Sequence, residues 1–202
     1  MAAPWTRLQG SGLRAAAEAA YRANALPYHD IGHVDRLYHH ADRLGLPYDR
    51  RLDECILAHD VIMGLGPGEN ERASAEWLLG FGRSAEWAAP ILDTIRHRPR
   101  EDRAGLALLD LMDFTDASVS RRNTELLRRE AIKRQGHAFD QRAWLMGTMT
   151  YLEGLRDGIL DDLPALSAHP HADQWARIAR GISIVMECAP HRYDPHPASG
   201  LI

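Results

Sequence analysis

Two cysteines, Cys55 and Cys188, are all that the 202 residues contain. Both lie in apolar helical contexts, so the sequence predicts reduced core residues rather than a bridge, as in a cytoplasmic protein. Nowhere does the chain reach the roughly 20 consecutive apolar residues that a bilayer span requires, which argues against a membrane partner. Met1-Ala2-Ala3-Pro4-Trp5-Thr6-Arg7 is followed by no long apolar run, so no secretory leader is expected. Excess positive charge is lacking too. The formal net charge is −4 with histidine neutral, which argues against a surface that wraps a nucleic-acid polymer and favours a small-molecule partner. Internal repeats and convincing alternating strands are also absent.

What is present fits a folded helical protein. Hydrophobic residues make up 45% and charged residues 26%, near globular averages, so a core of useful size is expected. Length favours one domain, placed at residues 1–189, with an irregular Pro-rich tail over 190–202. Helical periodicity predicts an Ala-rich helix over 5–24, broken at Asn24-Ala25-Leu26-Pro27, and a second over 28–44 that stops at Gly45. A third carries His59 and Asp60 and runs into the turn-forming loop Gly64-Leu65-Gly66-Pro67-Gly68. Asn70 is read as the cap of a helix through Leu79, and Ser84 as the cap of one ending near His97. A short acidic helix over 103–114 follows, then helices over 118–135, 138–156 and 172–188. The last has Trp175, Ile178, Ile182 and Val185 or Met186 as its buried stripe. The fold class is all-α, a single-domain helical bundle.

The most informative residues are His59 and Asp60, inside a run that otherwise reads as a buried helix. Leu52, Ile56, His59 and Met63 recur at helical spacing, so the imidazole points into apolar surroundings with a carboxylate beside it. A buried carboxylate needs a compensating cation or donors, and a divalent metal supplies one; a helix-end pair satisfied by backbone groups is the alternative. Upstream, His29, His33 and His40 fall within roughly 40° of one another on a helix turning about 100° per residue. Histidine is the commonest metal ligand near neutral pH. Downstream, Asp110 and Asp113 share a side with Leu106 and Leu109. Between these segments, Ile91-Leu92-Asp93-Thr94-Ile95-Arg96-His97 offers one more imidazole. His39 falls off the His29/His33 face, and His137, His169, His171, His191 and His196 lie at helix boundaries or in loops.

The order His, then His-Asp, then Asp, on separate helices, resembles the HD superfamily of metal-dependent phosphohydrolases. Tyr28-His29 and His33 look like the Tyr-His-x-x-x-His of a small bacterial subgroup. Asn70-Glu71-Arg72-Ala73-Ser74-Ala75 is similar to its Asn-Glu-x-x-Ser-Ala element, and Ile91 to His97 to its Ile-x-x-Thr-x-x-His. Asp113-Phe114-Thr115-Asp116-Ala117 is similar to the Asp-x-x-Asp-Ala pattern around the last ligand. The likeness covers about residues 20 to 182.

That resemblance implies a divalent metal ion (manganese, cobalt, nickel, iron, zinc or magnesium) held by His33, His59, Asp60 and Asp113. His29 is the alternative first ligand. Asp110 is the alternative last one, because this chain reads Asp-Leu-Met-Asp-Phe where the subgroup has Asp-x-Asp-Leu. The implied activity is hydrolysis of a nucleotide or other small phosphomonoester by metal-activated water. Asp60, Glu71 and His97 are the catalytic candidates for orienting water or moving a proton. Arg36, Arg72 and Arg96 are candidates for substrate phosphate, which a guanidinium matches bidentately. Plainer readings are a first-turn helix acid for Glu71 and surface charges for the arginines. Two rival functions stay open, an HD-fold di-iron oxygenase and a non-catalytic nucleotide-sensing module. A homo-oligomer is equally open.

Overall fold

The computed structural model describes residue 8 and residues 10–66 and 68–193, the last four by their backbone only. Among the described residues the architecture is all-α, with no strand. The chain divides between Met112 and Asp113 into two compact units. No helix among the described residues is long and apolar enough to cross a membrane.

The first unit contains α1 (Gly12–Asn24), α2 (Ile31–Arg43), α3 (Arg50–Ala58), α4 (Glu69–Leu79), α5 (Ala85–Asp93) and α6 (Leu106–Leu111). Helix α3 is its hub, packing against α1, α2, α4, α5 and α6. Leu52 through His59 is buried without a break, so Asp53, Glu54 and His59 are enclosed along with the apolar residues. Leu13, Ala17 and Tyr21 of α1, Val34 and Leu37 of α2, Leu78 of α4, Ile91 of α5 and Leu106 and Leu109 of α6 join the core.

Local chemistry sets the helix ends that matter. Ser11, Asp30, Asp49 and Ser84 cap α1, α2, α3 and α5 by accepting from backbone N–H groups of the first turn. Helix α4 starts instead after Gly68, whose φ of 79° suits glycine, and Asn70 is the second residue of the helix. Its side chain serves the preceding loop, accepting from Leu65 N at 2.9 Å.

Helix α6 also lacks a cap from its own N-cap residue, Gly105. Asp102 replaces it from three residues upstream, accepting from Ala107 N at 3.2 Å and Leu108 N at 2.9 Å. Asp102→Ala is expected to lower stability by about 1–2 kcal/mol, as other lost caps do. A urea midpoint equal to that of the parent would contradict this.

The second unit contains a 3-10 turn (Met112–Thr115, whose first residue closes the first unit), α7 (Ala117–Gln135), α8 (Gln141–Asp162) and α9 (Ala172–Tyr193). Helix α9 packs against α7 and α8. Its Trp175, Ile178, Ile182 and Val185 are buried, as their spacing predicts. Cys188 is exposed, unlike the core position expected of it, because it falls off that stripe; Cys55 is fully buried. The helix continues through Tyr193, so the irregular tail expected from residue 190 is helical in its first residues, and the rest lies outside the described part.

Candidate metal centre

Three elements of the first unit bring the central residues together. Asp30 caps α2 by accepting from His33 N at 3.0 Å, which places His33 in the first turn. His29 precedes the helix rather than sharing its face. Helix α3 stops at Ala58, with His59 as its C-cap and Asp60 in the following turn. The sequence pattern runs on to Met63, but side chains from elsewhere take over the backbone groups there. Asn24 Nδ2 donates to Val61 O at 3.1 Å, and Ser74 Oγ accepts from Ile62 N at 3.1 Å. Tyr21 also donates to Leu57 O, at 3.2 Å. Asn24 and Tyr21 carry no sequence signal for this role, whereas Ser74 belongs to the Asn-Glu-x-x-Ser-Ala element.

The result is a tight cluster. His33, His59 and Asp60 each offer a ligand atom, all within 4.8 Å of one another. The two Nε2 atoms of His33 and His59 are 3.2 Å apart. Asp60 Oδ2 lies 3.0 Å from His59 Nε2 and 3.4 Å from His33 Nε2. Asp110, on α6, adds its Oδ1 at 3.0 Å from His33 Nε2 and 3.9 Å from His59 Nε2. His33 and His59 are buried, and the carboxylates are nearly so.

Charge and tautomer decide what fits here. His59 Nδ1 lies 2.9 Å from Ile56 O. A carbonyl only accepts, so Nδ1 carries the proton and the neutral ring turns a lone pair on Nε2 toward Asp60 Oδ2. That cluster of acceptors demands positive charge, supplied by extra protons or by a cation. Burial alone depresses the His33 pKa, but Asp110 and Asp60 outweigh it and lift the ring to about 9. His59 is raised in the same way, burial being overcome by Asp60 and Asp110. Asp60 and Asp110 move oppositely: burial favours their neutral forms, yet the surrounding imidazoles hold both well below the usual carboxylate range. Mixed imidazole and carboxylate donors around one point are the set that borderline divalent ions prefer, so the residues fit a metal ion.

The other sequence candidates are placed less uniformly. Asp113 is outside the three-residue group; in the second unit its Oδ2 accepts from Asn123 Nδ2 at 2.7 Å. Asp110, the alternative last ligand, reaches the imidazoles through its pairs with His33 and His59. His29 Nε2 is 3.9 Å from Asp60 Oδ2, at the margin of the cluster. His97 Nε2 lies 2.8 Å from Asp110 Oδ2. Glu71 sits in the first turn of α4, one turn before the buried Ser74, and its Oε2 is shielded from solvent with no hydrogen-bond partner. Arg36 reaches within 3.4 Å of His33 Nδ1 and lies over the Tyr28 ring, 5.3 Å from its centroid. Arg72 and Arg96 are exposed and pair with Glu69 and Glu101.

No protein-family model matches the chain, and no curated protein and no solved structure matches it.

Proposed function

We propose that the chain is a metal-dependent phosphohydrolase acting on a nucleotide or another small phosphomonoester, its ion held by His33, His59, Asp60 and Asp110. The observation that carries this reading is the convergence of two buried imidazoles and a carboxylate within 4.8 Å, with Asp110 closing on His33 at 3.0 Å. The ordered motifs that resemble the HD superfamily support it. When bound, a divalent ion supplies Lewis acidity toward a phosphoryl oxygen and a water molecule. Asp60 places its carboxylate among His33 and His59, with His29 at the margin, and its second role is to orient the attacking water. Glu71 is the acid–base candidate, because a shielded carboxylate oxygen without a donor is costly unless a ligand supplies one. Arg36, beside His33, is the phosphate partner best placed of the three arginines.

The test is metal analysis of protein purified without chelator, with phosphate release measured over a panel of nucleoside mono- and triphosphates. About one ion per chain is expected, and His59→Ala should reduce both metal content and phosphate release to background. Undiminished metal and activity in that variant would defeat the proposal. Two ions with oxygen uptake would favour the di-iron oxygenase instead. Nucleotide-dependent thermal stabilisation without turnover would favour the sensing module.

A further inference from the structure

His97 combines three features that one role explains. It is a non-glycine residue with a φ of 49°, a left-handed conformation that side-chain-bearing residues rarely adopt. Its side chain is buried, at 8% exposure. Its Nε2 lies 2.8 Å from Asp110 Oδ2, and since a carboxylate only accepts, Nε2 must carry the proton. Backbone strain of this kind persists only where its surroundings overdetermine it. They do so here. Asp93, buried at the end of α5, binds Arg103 through Oδ1 at 2.8 Å, and Asp102 caps α6 from the same loop. Thr94 donates to Ile91 O at 2.7 Å at the other end. The loop over 94–105 is thus pinned at both ends, and His97 is pressed inward between them.

Asp110 is the beneficiary. Its two oxygens are divided: Oδ1 faces His33 and His59, while Oδ2 accepts from His97 Nε2–H. A carboxylate free to rotate would offer either oxygen or both. Held in this way it presents one oxygen at a fixed angle.

We infer that His97 is a positioning residue, whose Nε2–H locks the carboxylate of Asp110 so that a single oxygen faces the ion held by His33, His59 and Asp60. The inference rests on the metal reading above and gives His97 a role other than proton transfer to substrate. Partners of this kind, one shell out from the ligands, orient them, and their loss weakens metal affinity about 10–100-fold.

Two variants of the full chain separate this role from that of a turn former. His97→Gln keeps an N–H donor at the place of Nε2 and keeps the backbone strain. His97→Gly relieves the strain, since glycine accepts positive φ freely, but removes the donor. With Mn2+ titrated into metal-free protein, His97→Gly is expected to bind about 10–100-fold more weakly than the parent, and His97→Gln less than about 10-fold more weakly. The visible spectrum of the Co2+-loaded protein should change in His97→Gly and be largely restored in His97→Gln. Parent-like Mn2+ affinity in His97→Gly, or glycine outperforming glutamine, would overturn the inference. So would a parent that binds two ions and variants that bind one, because His97 would then be a ligand. A parent that binds no ion removes the metal reading itself, and His97→Gly cannot produce that result.

Discussion

On the proposed metal reading, Asp110→Ala is expected to abolish ion binding, while Asp113→Ala leaves metal content unchanged. The carboxylate of Asp110 reaches His33 at 3.0 Å and accepts from His97 Nε2 at 2.8 Å, so its removal opens one side of the cluster. Loss of a direct ligand should exceed the effect of losing an outer partner, which puts the weakening at more than about 100-fold. Asp113 is occupied differently, accepting from Asn123 at 2.7 Å at the start of the second unit. Its replacement leaves the Asn123 amide, itself buried, short of an acceptor, so that variant should lose stability without losing metal. Elemental analysis of the two purified variants decides the matter. Metal retained by Asp110→Ala and lost by Asp113→Ala would reverse the assignment.

Gly181→Ala should have the largest effect on stability. Gly181 lies on the buried side of α9, where a Cβ would fall inside the van der Waals shell of the Phe114 carbonyl oxygen and 2.7 Å from its carbon. The obstacle is backbone, not the flexible end of a side chain, so the helix or the 3-10 turn at Met112–Thr115 must move. Overpacking of this sort costs about 3 kcal/mol or more where the neighbours cannot relax. For a chain of this length that corresponds to a fall in melting temperature of about 6 °C or more. A thermal midpoint within about 2 °C of the parent would contradict this prediction.

The sequence made some of this legible and hid the rest for identifiable reasons. Periodicity alone located the Trp175–Ile178–Ile182–Val185 stripe, because one face of a helix packed on its neighbours repeats at 3.6 residues. Ser84 was readable as a cap, since a hydroxyl before an apolar run has few other uses. Asn70 misled for the same reason: the glycine at 68 tolerates the left-handed entry to α4, and the asparagine amide turns back to Leu65 instead. His33, His59 and Asp60 stood out because polar groups on apolar faces are expensive and invite explanation. The choice between Asp110 and Asp113 was not readable. Both sit three residues apart on the same apolar side, and what separates them is Asn123, ten residues farther along, together with the change from α to 3-10 geometry at Met112. The positive φ of His97 was equally hidden, since it lies in a loop whose ends are tied by a contact between Asp93 and Arg103 ten residues apart.

The contrast between the two thiols has a practical consequence. Burial pushes the Cys55 thiol, in the middle of α3, up to about 12, and its Sγ donates to Trp87 O of α5, whereas Cys188 stands in solvent. An alkylating reagent at neutral pH should therefore modify Cys188 at once and reach Cys55 only when α3 breathes open. Since His59 ends that same helix, the slow labelling rate becomes a clock for local opening beneath the imidazole, and a tightly held ion should slow it further.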